Sequence, residues 1–237
     1  MGKETVSEGS IAAILTDVQE RFSKARLYVI TCPPPSGGEG YDAMVEEACE
    51  GGADVVQFRD KLFPVRERFA AAVPLRAICA QYNVLFIVND SLDIALAVNA
   101  DGVHLGQNDL PVPQARQIIR AVGRREFLIG CSTHSLQQAL EAEQQSADYI
   151  GVGPVFATPT KPSYNPVGLT LVKDVSSHVR IPQVAIGGID VSNAGQVLEA
   201  GAKRIAVVRA VCGAPKIVKA AKEMKALLND YEKNNHR

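Results

Sequence analysis

Two aspartates, each preceded by an asparagine and an apolar run, are spaced as metal ligands at neighbouring strand ends would be. Asp90 follows LFIVN, and Asp109 follows VHLGQN, 19 residues further on. If the two runs are successive strands of one parallel sheet, both carboxylates emerge at the same edge. Their oxygens would suit a divalent cation such as Mg²⁺. The pair predicts a magnesium site, although each aspartate taken singly is more typical of a helix cap or a turn.

Cationic side chains follow another apolar run, VVQF (55–58). Alternation along a strand places Gln57, Arg59 and Lys61 on one side. Guanidinium and ammonium groups suit phosphate oxygens, whereas simple solvation is the alternative for two surface cations. Ser132 follows the run FLIG (127–130), where it adds a hydroxyl unless it caps the next helix. These residues and the aspartates together predict a site for a diphosphate and Mg²⁺.

A proline- and glycine-rich segment, GPVFATPTKPSYNPVG (153–168), predicts a long functional loop. It offers three groups for an anionic ligand: Thr158, Thr160 and Lys161. Two further strand ends could supply backbone N–H groups to a phosphate, as loops after the last two strands of a barrel often do. They carry Gly187, Gly188, Val208 and Arg209. A second anion site, for a monophosphate, is therefore predicted there.

No arrangement of residues indicates a strong nucleophile. His104 lies within an apolar run and is expected to be a hydrogen-bonded core residue, whereas His134 lies near a strand end and could transfer a proton. Neither a Ser-His-Asp order nor an HExxH zinc motif occurs. Two anion sites without a nucleophile favour ionisation of a diphosphate ester, in which electrostatic stabilisation of the leaving group drives the reaction.

The elements that must position these residues are eight short apolar runs alternating with amphipathic stretches, which predicts a parallel α/β sheet. The runs are 27–31, 55–58, 85–89, 102–105, 127–130, 149–153, 183–188 and 204–208. Related tetrapeptides, GADV, NADG, SADY and more weakly GAKR, precede every second run, with alanines 47, 47 and 55 residues apart. This repetition favours a single TIM (β/α)8 barrel. A doubly wound sheet is the alternative, but no GxGxxG follows an early run.

The chain is expected to consist of an N-terminal extension, residues 1–26, and one barrel catalytic domain, residues 27–237. Ile11, Leu15, Val18 and Phe22 lie on one helical face, which predicts an extra N-terminal helix packed on the outside or bottom of the barrel. A partner-binding helix is the alternative. Pro74 interrupts a helical pattern, where a kink or a break is expected.

Composition limits the classes of partner. The 237 residues are 46% hydrophobic and 22% charged with a net charge of −1, which gives no reason to expect nucleic acid or a membrane surface as partner. No run approaches the roughly 20 apolar residues that span a bilayer. Five scattered cysteines without a CxxC motif, and the polar start MGKETVSEGS, favour a cytoplasmic protein with reduced thiols. A homo-oligomer is compatible with the sequence, which does not fix the oligomeric state.

The motifs VVQFRDK, VNDSLDIALAVNADGVHLGQNDLP, GCSTHSLQQALEAE, YIGVGPVFATPTK, VAIGGI and AVVRAV resemble those of the thiamine-phosphate synthase (thiamine-phosphate pyrophosphorylase) family, in that family's order over roughly residues 27–215. The resemblance implies a TIM-barrel transferase of thiamine biosynthesis. Such enzymes join 4-amino-5-hydroxymethyl-2-methylpyrimidine diphosphate to 4-methyl-5-(2-phosphooxyethyl)thiazole and release diphosphate. The diphosphate leaves first, and the thiazole nitrogen captures the pyrimidine-methylene cation.

The resemblance also implies roles for individual residues. The pyrimidine diphosphate would be held by Gln57, Arg59, Lys61, Asn89, Ser132 and Lys161, with catalytic roles for Arg59, Lys61 and Lys161. Mg²⁺ would be bound by Asp90 and Asp109. The thiazole phosphate would be lined by Thr158, Thr160, Gly188, Val208 and Arg209.

Two departures and two alternatives accompany this resemblance. Phe58 stands where the family often has tyrosine, and Arg209 stands where many members carry serine, which leaves the side-chain contact of Arg209 open. The first alternative is the related thiazole tautomerase, which uses a histidine near the fifth strand, a role that His134 could take. The second is a non-catalytic protein that binds thiamine phosphate.

Overall fold

The computed structural model describes residues 17–33, 40–159 and 165–235. Within them, eight parallel strands alternate with helices and pair in chain order, and the eighth strand pairs with the first to close a barrel. The strands are β1 (Leu27–Ile30), β2 (Val55–Phe58), β3 (Leu85–Asn89), β4 (Gly102–Leu105), β5 (Leu128–Thr133), β6 (Tyr149–Val152), β7 (Gln183–Ile186) and β8 (Ile205–Val207). The predicted TIM barrel is confirmed, and the doubly wound alternative is excluded.

The helices surround the barrel because each apolar strand must be covered on its outer face. They are α1 (described over 17–24), α2 (Tyr41–Glu50), α3 (Val65–Gln81), α4 (Leu92–Ala97), α5 (Val112–Ala121), α6 (Leu136–Gln144), α7 (Gly168–His178), α8 (Ala194–Glu199), α9 (Arg209–Cys212) and α10 (Ile217–Asn235). Among these helices as described, none combines the length and apolar character that crossing a bilayer requires.

The N-terminal helix α1 covers the end of the barrel at which the strands begin. Val18 and Phe22 are buried, and the Phe22 ring lies 4.4 Å from the Tyr149 ring at the start of β6. The Arg204 guanidinium fixes the end of α1 by donating to the carbonyl oxygens of Phe22 and Ser23. The predicted helix and its packing at the bottom of the barrel are thus confirmed for these residues. Ile11 and Leu15 lie outside the described residues.

The repeated tetrapeptides of the sequence are a structural device at this same end. In the first three copies an aspartate before an even-numbered strand accepts a backbone N–H from the start of the preceding odd-numbered strand: Asp54 from Leu27 (2.9 Å), Asp101 from Phe86 (2.8 Å) and Asp148 from Ile129 (2.7 Å). Each carboxylate also pairs with a cation, respectively Lys225, Arg76 and Arg116. The fourth copy has Lys203 at this position, where the neighbouring Arg204 holds α1 instead.

Replacing Asp148 with alanine is expected to lower the free energy of unfolding by about 2–4 kcal/mol, because it leaves the Ile129 N–H without an acceptor and removes the counter-charge of the largely buried Arg116. The matched control is Lys203→Ala at the fourth copy, an exposed position, expected to change stability by less than about 0.5 kcal/mol. Urea unfolding measures both. Equal effects of the two substitutions would contradict a structural role for the repeated aspartates.

Of the kink or break expected at Pro74, the break does not occur, because α3 continues from Val65 to Gln81 with Pro74 inside it. Proline removes the N–H that would bond the carbonyl of Ala70. Ala70 is exposed, so water can solvate that carbonyl. The helix therefore tolerates the proline.

Candidate active site

A cavity of about 470 Å³ opens among the strand ends and the loops that follow them. Its lining includes residues from the ends of β1, β3, β5, β7 and β8, so it lies on the face opposite α1. Eight predicted site residues line it: Gln57, Arg59, Asn89, Ser132, Thr158, Gly188, Val208 and Arg209. The barrel therefore gathers most of the residues that the sequence scattered over 150 positions. Thr160 and Lys161 lie outside the described residues.

The two aspartates and Lys61 meet at the rim of the barrel, beside the cavity lining. The Lys61 ammonium lies 3.2 Å from a carboxylate oxygen of Asp90. The backbone N–H of Asp90 donates to the carbonyl oxygen of His104 at 2.8 Å, and Asp90 has a φ of 63°, a left-handed conformation that aspartate adopts more readily than most residues. Asp109 accepts the Gly106 N–H at 2.6 Å. The backbone of Asp90 and the carboxylate of Asp109 are thus both held by backbone hydrogen bonds at the ends of β3 and β4.

The carboxyl groups of Asp90 and Asp109 interact directly. Burial raises the pKa of Asp90, the hydrogen bond and charge of Asp109 raise it further, and Lys61 opposes the rise. A raised pKa marks a carboxylate whose negative charge is incompletely compensated. Asp90 with the Asp109 carboxylate beside it would gain from a divalent cation between them.

The alternative reading of these aspartates as helix caps is excluded. The residue before α4 is Ser91, and the residue before α5 is Pro111. Among the residues that the structure describes, no group of three or more His, Cys, Asp or Glu side chains could enclose a metal. The pair of interacting carboxylates suits Mg²⁺, which keeps several waters and takes one or two carboxylates plus substrate phosphates. The donor set therefore fits Mg²⁺ held jointly by protein and ligand oxygens.

The loop after β2 is braced by a buried aspartate between the two cations. Asp60 accepts the N–H groups of Leu62 (2.8 Å) and Phe63 (2.7 Å) and the hydroxyl of Tyr41. Burial alone would raise the pKa of Asp60. The hydrogen bonds and the charge of Arg68 outweigh this effect, and the net result is a lowered pKa. Asp60 thus stays ionised and holds the backbone that carries Lys61.

The strand that carries Ser132 ends three residues later than predicted, at Thr133 instead of Gly130. Cys131, Ser132 and Thr133 continue β5 because they pair with β6. The alternative that Ser132 caps the next helix is wrong, since Ser135 caps α6 by accepting the N–H of Gln138 at 3.2 Å. Ser132 is left to line the cavity.

Two cavity residues that the sequence did not single out are tyrosines. Tyr28 and Tyr149 stand in β1 and β6, and their hydroxyls are 3.0 Å apart inside the barrel. Burial raises the pKa of both phenols well above the ordinary value, so both stay neutral. His104 is hydrogen-bonded, as predicted, and also lines the cavity. Only the strand register could have shown that all three side chains point into the barrel. In the apolar runs LYVI and YIGV, the alternation of residue types does not distinguish inward from outward positions.

The double glycine after β7 is required by its backbone and by a close neighbour. Gly187 and Gly188 have φ values of 107° and 64°. A Cβ on Gly188 would lie 2.7 Å from the carbonyl oxygen of Ala157 and 2.8 Å from Cβ of Phe156. The turn therefore lets the loop after β6, which carries Thr158, approach the end of β7. Arg209 begins α9 on the same side of the cavity and is exposed.

A closed eight-stranded barrel whose carboxyl ends carry a polar cavity, two interacting carboxylates and adjacent cations is a TIM-barrel enzyme with a site for small anionic substrates. The comparisons with known proteins place the chain within that class. The sequence model of the family described as thiamine monophosphate synthase matches residues 27–211. The chain therefore belongs to the thiamine monophosphate synthase family, as its motifs indicated. Curated relatives that match most of this chain are named thiamine-phosphate synthase, a transferase of thiamine biosynthesis.

Individual relatives agree with this family. A thiamine-phosphate synthase of Chloroflexus aurantiacus is 47% identical over 205 residues, which cover 86% of this chain and 93% of the relative. One from Thermosynechococcus vestitus is 46% identical over 206 residues, but the chain spans only 56% of that longer protein. The solved structure of thiamine phosphate pyrophosphorylase from Pyrococcus furiosus is 39% identical, with a TM-score of 0.80, and the match covers 91% of this chain and 99% of that one.

Replacing Gly188 with alanine is expected to weaken binding of the monophosphate substrate, whose site is predicted at this turn, at least about tenfold, or about 1.4 kcal/mol. The new methyl group would push the Phe156–Ala157 segment, and Thr158 with it, away from β7. The control is Gly123→Ala, where φ is 73° but nothing lies within 4 Å of the added carbon. Both variants carry the backbone strain of a positive φ, and only Gly188→Ala should change the KM of the monophosphate substrate. An equal KM in the two variants would refute the close-approach explanation.

Proposed function

We propose that the protein joins 4-amino-5-hydroxymethyl-2-methylpyrimidine diphosphate to 4-methyl-5-(2-phosphooxyethyl)thiazole, giving thiamine phosphate and diphosphate. The observation that carries this proposal is the rim cluster of Lys61, Asp90 and Asp109 beside a cavity large enough for small ligands. Its charges suit a diphosphate with Mg²⁺, and its position suits a leaving group that departs toward solvent.

Asp90 and Asp109 would hold Mg²⁺ with substrate oxygens completing its coordination. When bound there, the ion would neutralise charge that develops on the departing diphosphate. The 3.2 Å contact of Lys61 with Asp90 places a second positive charge at the same rim. Lys61 would therefore bind the diphosphate beside the metal.

The pyrimidine diphosphate would occupy the side of the cavity formed by β2, β3 and β5. Arg59, Asn89 and Ser132 line it near the strand ends, and the buried Gln57 lines it more deeply. Lys161 is assigned to the same substrate by the family resemblance. We propose that Arg59, Lys61 and Lys161 act catalytically by stabilising the leaving group.

The thiazole phosphate would occupy the side formed by the loops after β6, β7 and β8. Thr158, Gly188, Val208 and Arg209 line the cavity there. Thr160 would contribute from the same loop as Thr158. Arg209 is exposed and free of the steric limits of a buried position, so that its guanidinium can reach a phosphate at the cavity mouth.

The reaction would proceed by loss of diphosphate and capture of the pyrimidine-methylene cation by the thiazole nitrogen. The buried phenols of Tyr28 and Tyr149 are held neutral by their raised pKa, so neither supplies an anion that would trap the cation. The protein's contribution is then to hold both substrates, to exclude water and to stabilise the leaving group.

Incubation of the purified protein with both substrates and Mg²⁺ tests this function. We expect thiamine phosphate and diphosphate in equal amounts, and no product when either substrate is omitted. Binding of thiamine phosphate without any turnover would instead support the non-catalytic alternative.

The thiazole tautomerase alternative rests on His134, which lines the cavity after β5. Its Nδ1 lies 2.5 Å from the carbonyl oxygen of Gly153 and donates to it, since a carbonyl can only accept. That bond gives His134 a role in holding the loop after β6. A tautomerisation would not require the rim cluster of Lys61, Asp90 and Asp109, so the presence of this cluster favours coupling.

His134→Ala is therefore expected to retain coupling, with kcat within about tenfold of the wild type, because no proton transfer through this ring is needed. The measurement is the steady-state rate of thiamine phosphate formation. Complete loss of coupling in a variant that still folds would revive a proton-transfer role for His134.

We further propose the domain division given by the sequence, with residues 1–26 as an N-terminal extension and residues 27–237 as the catalytic domain. A cytoplasmic location stays a prediction from the cysteine pattern. A homo-oligomeric state likewise stays a prediction.

A further inference from the structure

Five side chains form one continuous hydrogen-bonded chain across the barrel interior. Gln57 Nε2 donates to the Tyr28 hydroxyl at 2.8 Å, and the Tyr28 and Tyr149 hydroxyls are 3.0 Å apart. The Tyr149 hydroxyl lies 3.1 Å from His104 Nδ1, and His104 Nε2 lies 3.0 Å from the Ser132 hydroxyl. All five line the cavity. This hydrogen-bonded chain has Gln57 at one end and Ser132 at the other, and both are predicted to bind the pyrimidine substrate.

The direction of this chain follows from its first bond. Because the amide of Gln57 donates, the Tyr28 oxygen is an acceptor, and its own proton is available for Tyr149. The Tyr149 proton is then available for His104 Nδ1. A neutral imidazole that accepts at Nδ1 carries its proton at Nε2 and donates it to Ser132.

The reverse direction would be costly. If His104 donated from Nδ1, Tyr149 would have to pass its proton to Tyr28, which would then accept two protons along the chain and donate none within it. Both tyrosines are almost fully buried, and a buried hydroxyl proton without a partner is unfavourable. Only one direction lets each phenol accept once and donate once.

We propose that Tyr28, Tyr149 and His104 are positioning residues that fix the hydrogen-bond polarity of the pyrimidine site. Gln57 presents its carbonyl oxygen to the cavity as an acceptor, and Ser132 presents its hydroxyl proton as a donor. On the proposed function, on which this inference rests for its ligands, the acceptor suits an exocyclic amino group and the donor suits a diphosphate oxygen. The reverse polarity would turn a lone pair of Ser132 toward the anion.

The tautomer of His104 in the free protein tests the polarity without any substrate. We expect ¹⁵N NMR of the imidazole nitrogens, at a pH well above the ordinary histidine pKa, to show the proton on Nε2 of His104. The protein has four histidines, so the His104 signals are identified by their loss in His104→Gln. A proton on Nδ1 would overturn the proposal. This outcome is independent of whether the protein couples the two substrates.

A double-mutant cycle tests whether the chain acts through Ser132. Tyr149→Phe removes the donor to His104, and we expect kcat to fall about three- to tenfold with little change in the KM of the thiazole phosphate. Added to Ser132→Ala, it should cause no further loss, because the group that it orients is already gone. Fully additive losses would refute a positioning role.

Two further comparisons keep the cycle interpretable. Thermal unfolding shows whether Tyr149→Phe still folds, and if it does not, Tyr28→Phe interrupts the same chain one bond earlier and is expected to give the same non-additivity. His104→Gln, which keeps an amide donor near Ser132, should retain more activity than His104→Asn, whose shorter amide cannot reach it. Equal activity of these two variants would contradict donation from His104 to Ser132.

Discussion

Replacing Asp109 with alanine is expected to lower Mg²⁺-dependent coupling by about 10²–10³-fold, the range seen when one electrostatic stabiliser of a transition state is removed. Asp109 is one of two carboxylates that interact at the rim, and its charge contributes to the raised pKa of Asp90. Without Asp109, the protein would hold the cation through Asp90 only, together with oxygens of the substrate. Measuring kcat/KM as Mg²⁺ is titrated would show whether the loss lies in metal binding.

Two controls separate the metal role from a structural role. Asp109→Asn keeps an oxygen that can accept the Gly106 N–H but removes the charge, so it should lose activity nearly as far as alanine. Asp93→Ala removes an exposed carboxylate in the first turn of α4, near Asp90, and should leave coupling unchanged. An Asp109→Asn enzyme with wild-type turnover would show that the loop contact alone matters.

Replacing Lys61 with alanine is expected to lower kcat/KM by about 10–100-fold, because a charge-assisted contact worth about 1.5–3 kcal/mol is lost. The same change also acts on Asp90, since Lys61 is the group that opposes the rise of its pKa. In its absence the pKa of Asp90 rises further, and the carboxyl becomes protonated at a higher pH. Because protons compete with the metal for this oxygen, activation by Mg²⁺ should fall off sooner as the pH is lowered.

Lys61→Arg is the matched variant, because it keeps the positive charge that faces Asp90. It should retain more activity than alanine and should leave the acidic limb of the pH profile near that of the wild type. Wild-type kinetics for Lys61→Ala, with an unchanged acidic limb, would refute the diphosphate role of this residue.

The sequence predicted the barrel and much of the rim for one physical reason. In a closed parallel barrel the residue after each strand lies on the active-site face, so a strand end in the sequence translates into a position in space. Arg59, Asn89 and Gly188 were found in this way, and all three line the cavity. The contact between Lys61 and Asp90 follows from the same rule, since they end adjacent strands.

The interior of the barrel could not be read in the same way. Tyr28 and Tyr149 lie in short apolar runs covered on both faces, where alternation carries no signal of which residue points inward. The extension of β5 through Thr133 depends on pairing with β6, which is a contact between distant residues. The tolerance of α3 for Pro74 depends on solvent reaching one carbonyl. Each of these facts is tertiary and has no local pattern.

The formation of thiamine phosphate from the two substrates, followed as Mg²⁺ is removed by a chelator and then restored, tests the role of the rim aspartates most directly. We expect product formation to stop on removal and to recover on restoration in the wild type, and to stay low throughout in the Asp90→Asn, Asp109→Asn double variant. Undiminished synthesis by the chelator-treated wild type, or by the folded double variant, would contradict a magnesium-assisted departure of diphosphate at Asp90 and Asp109.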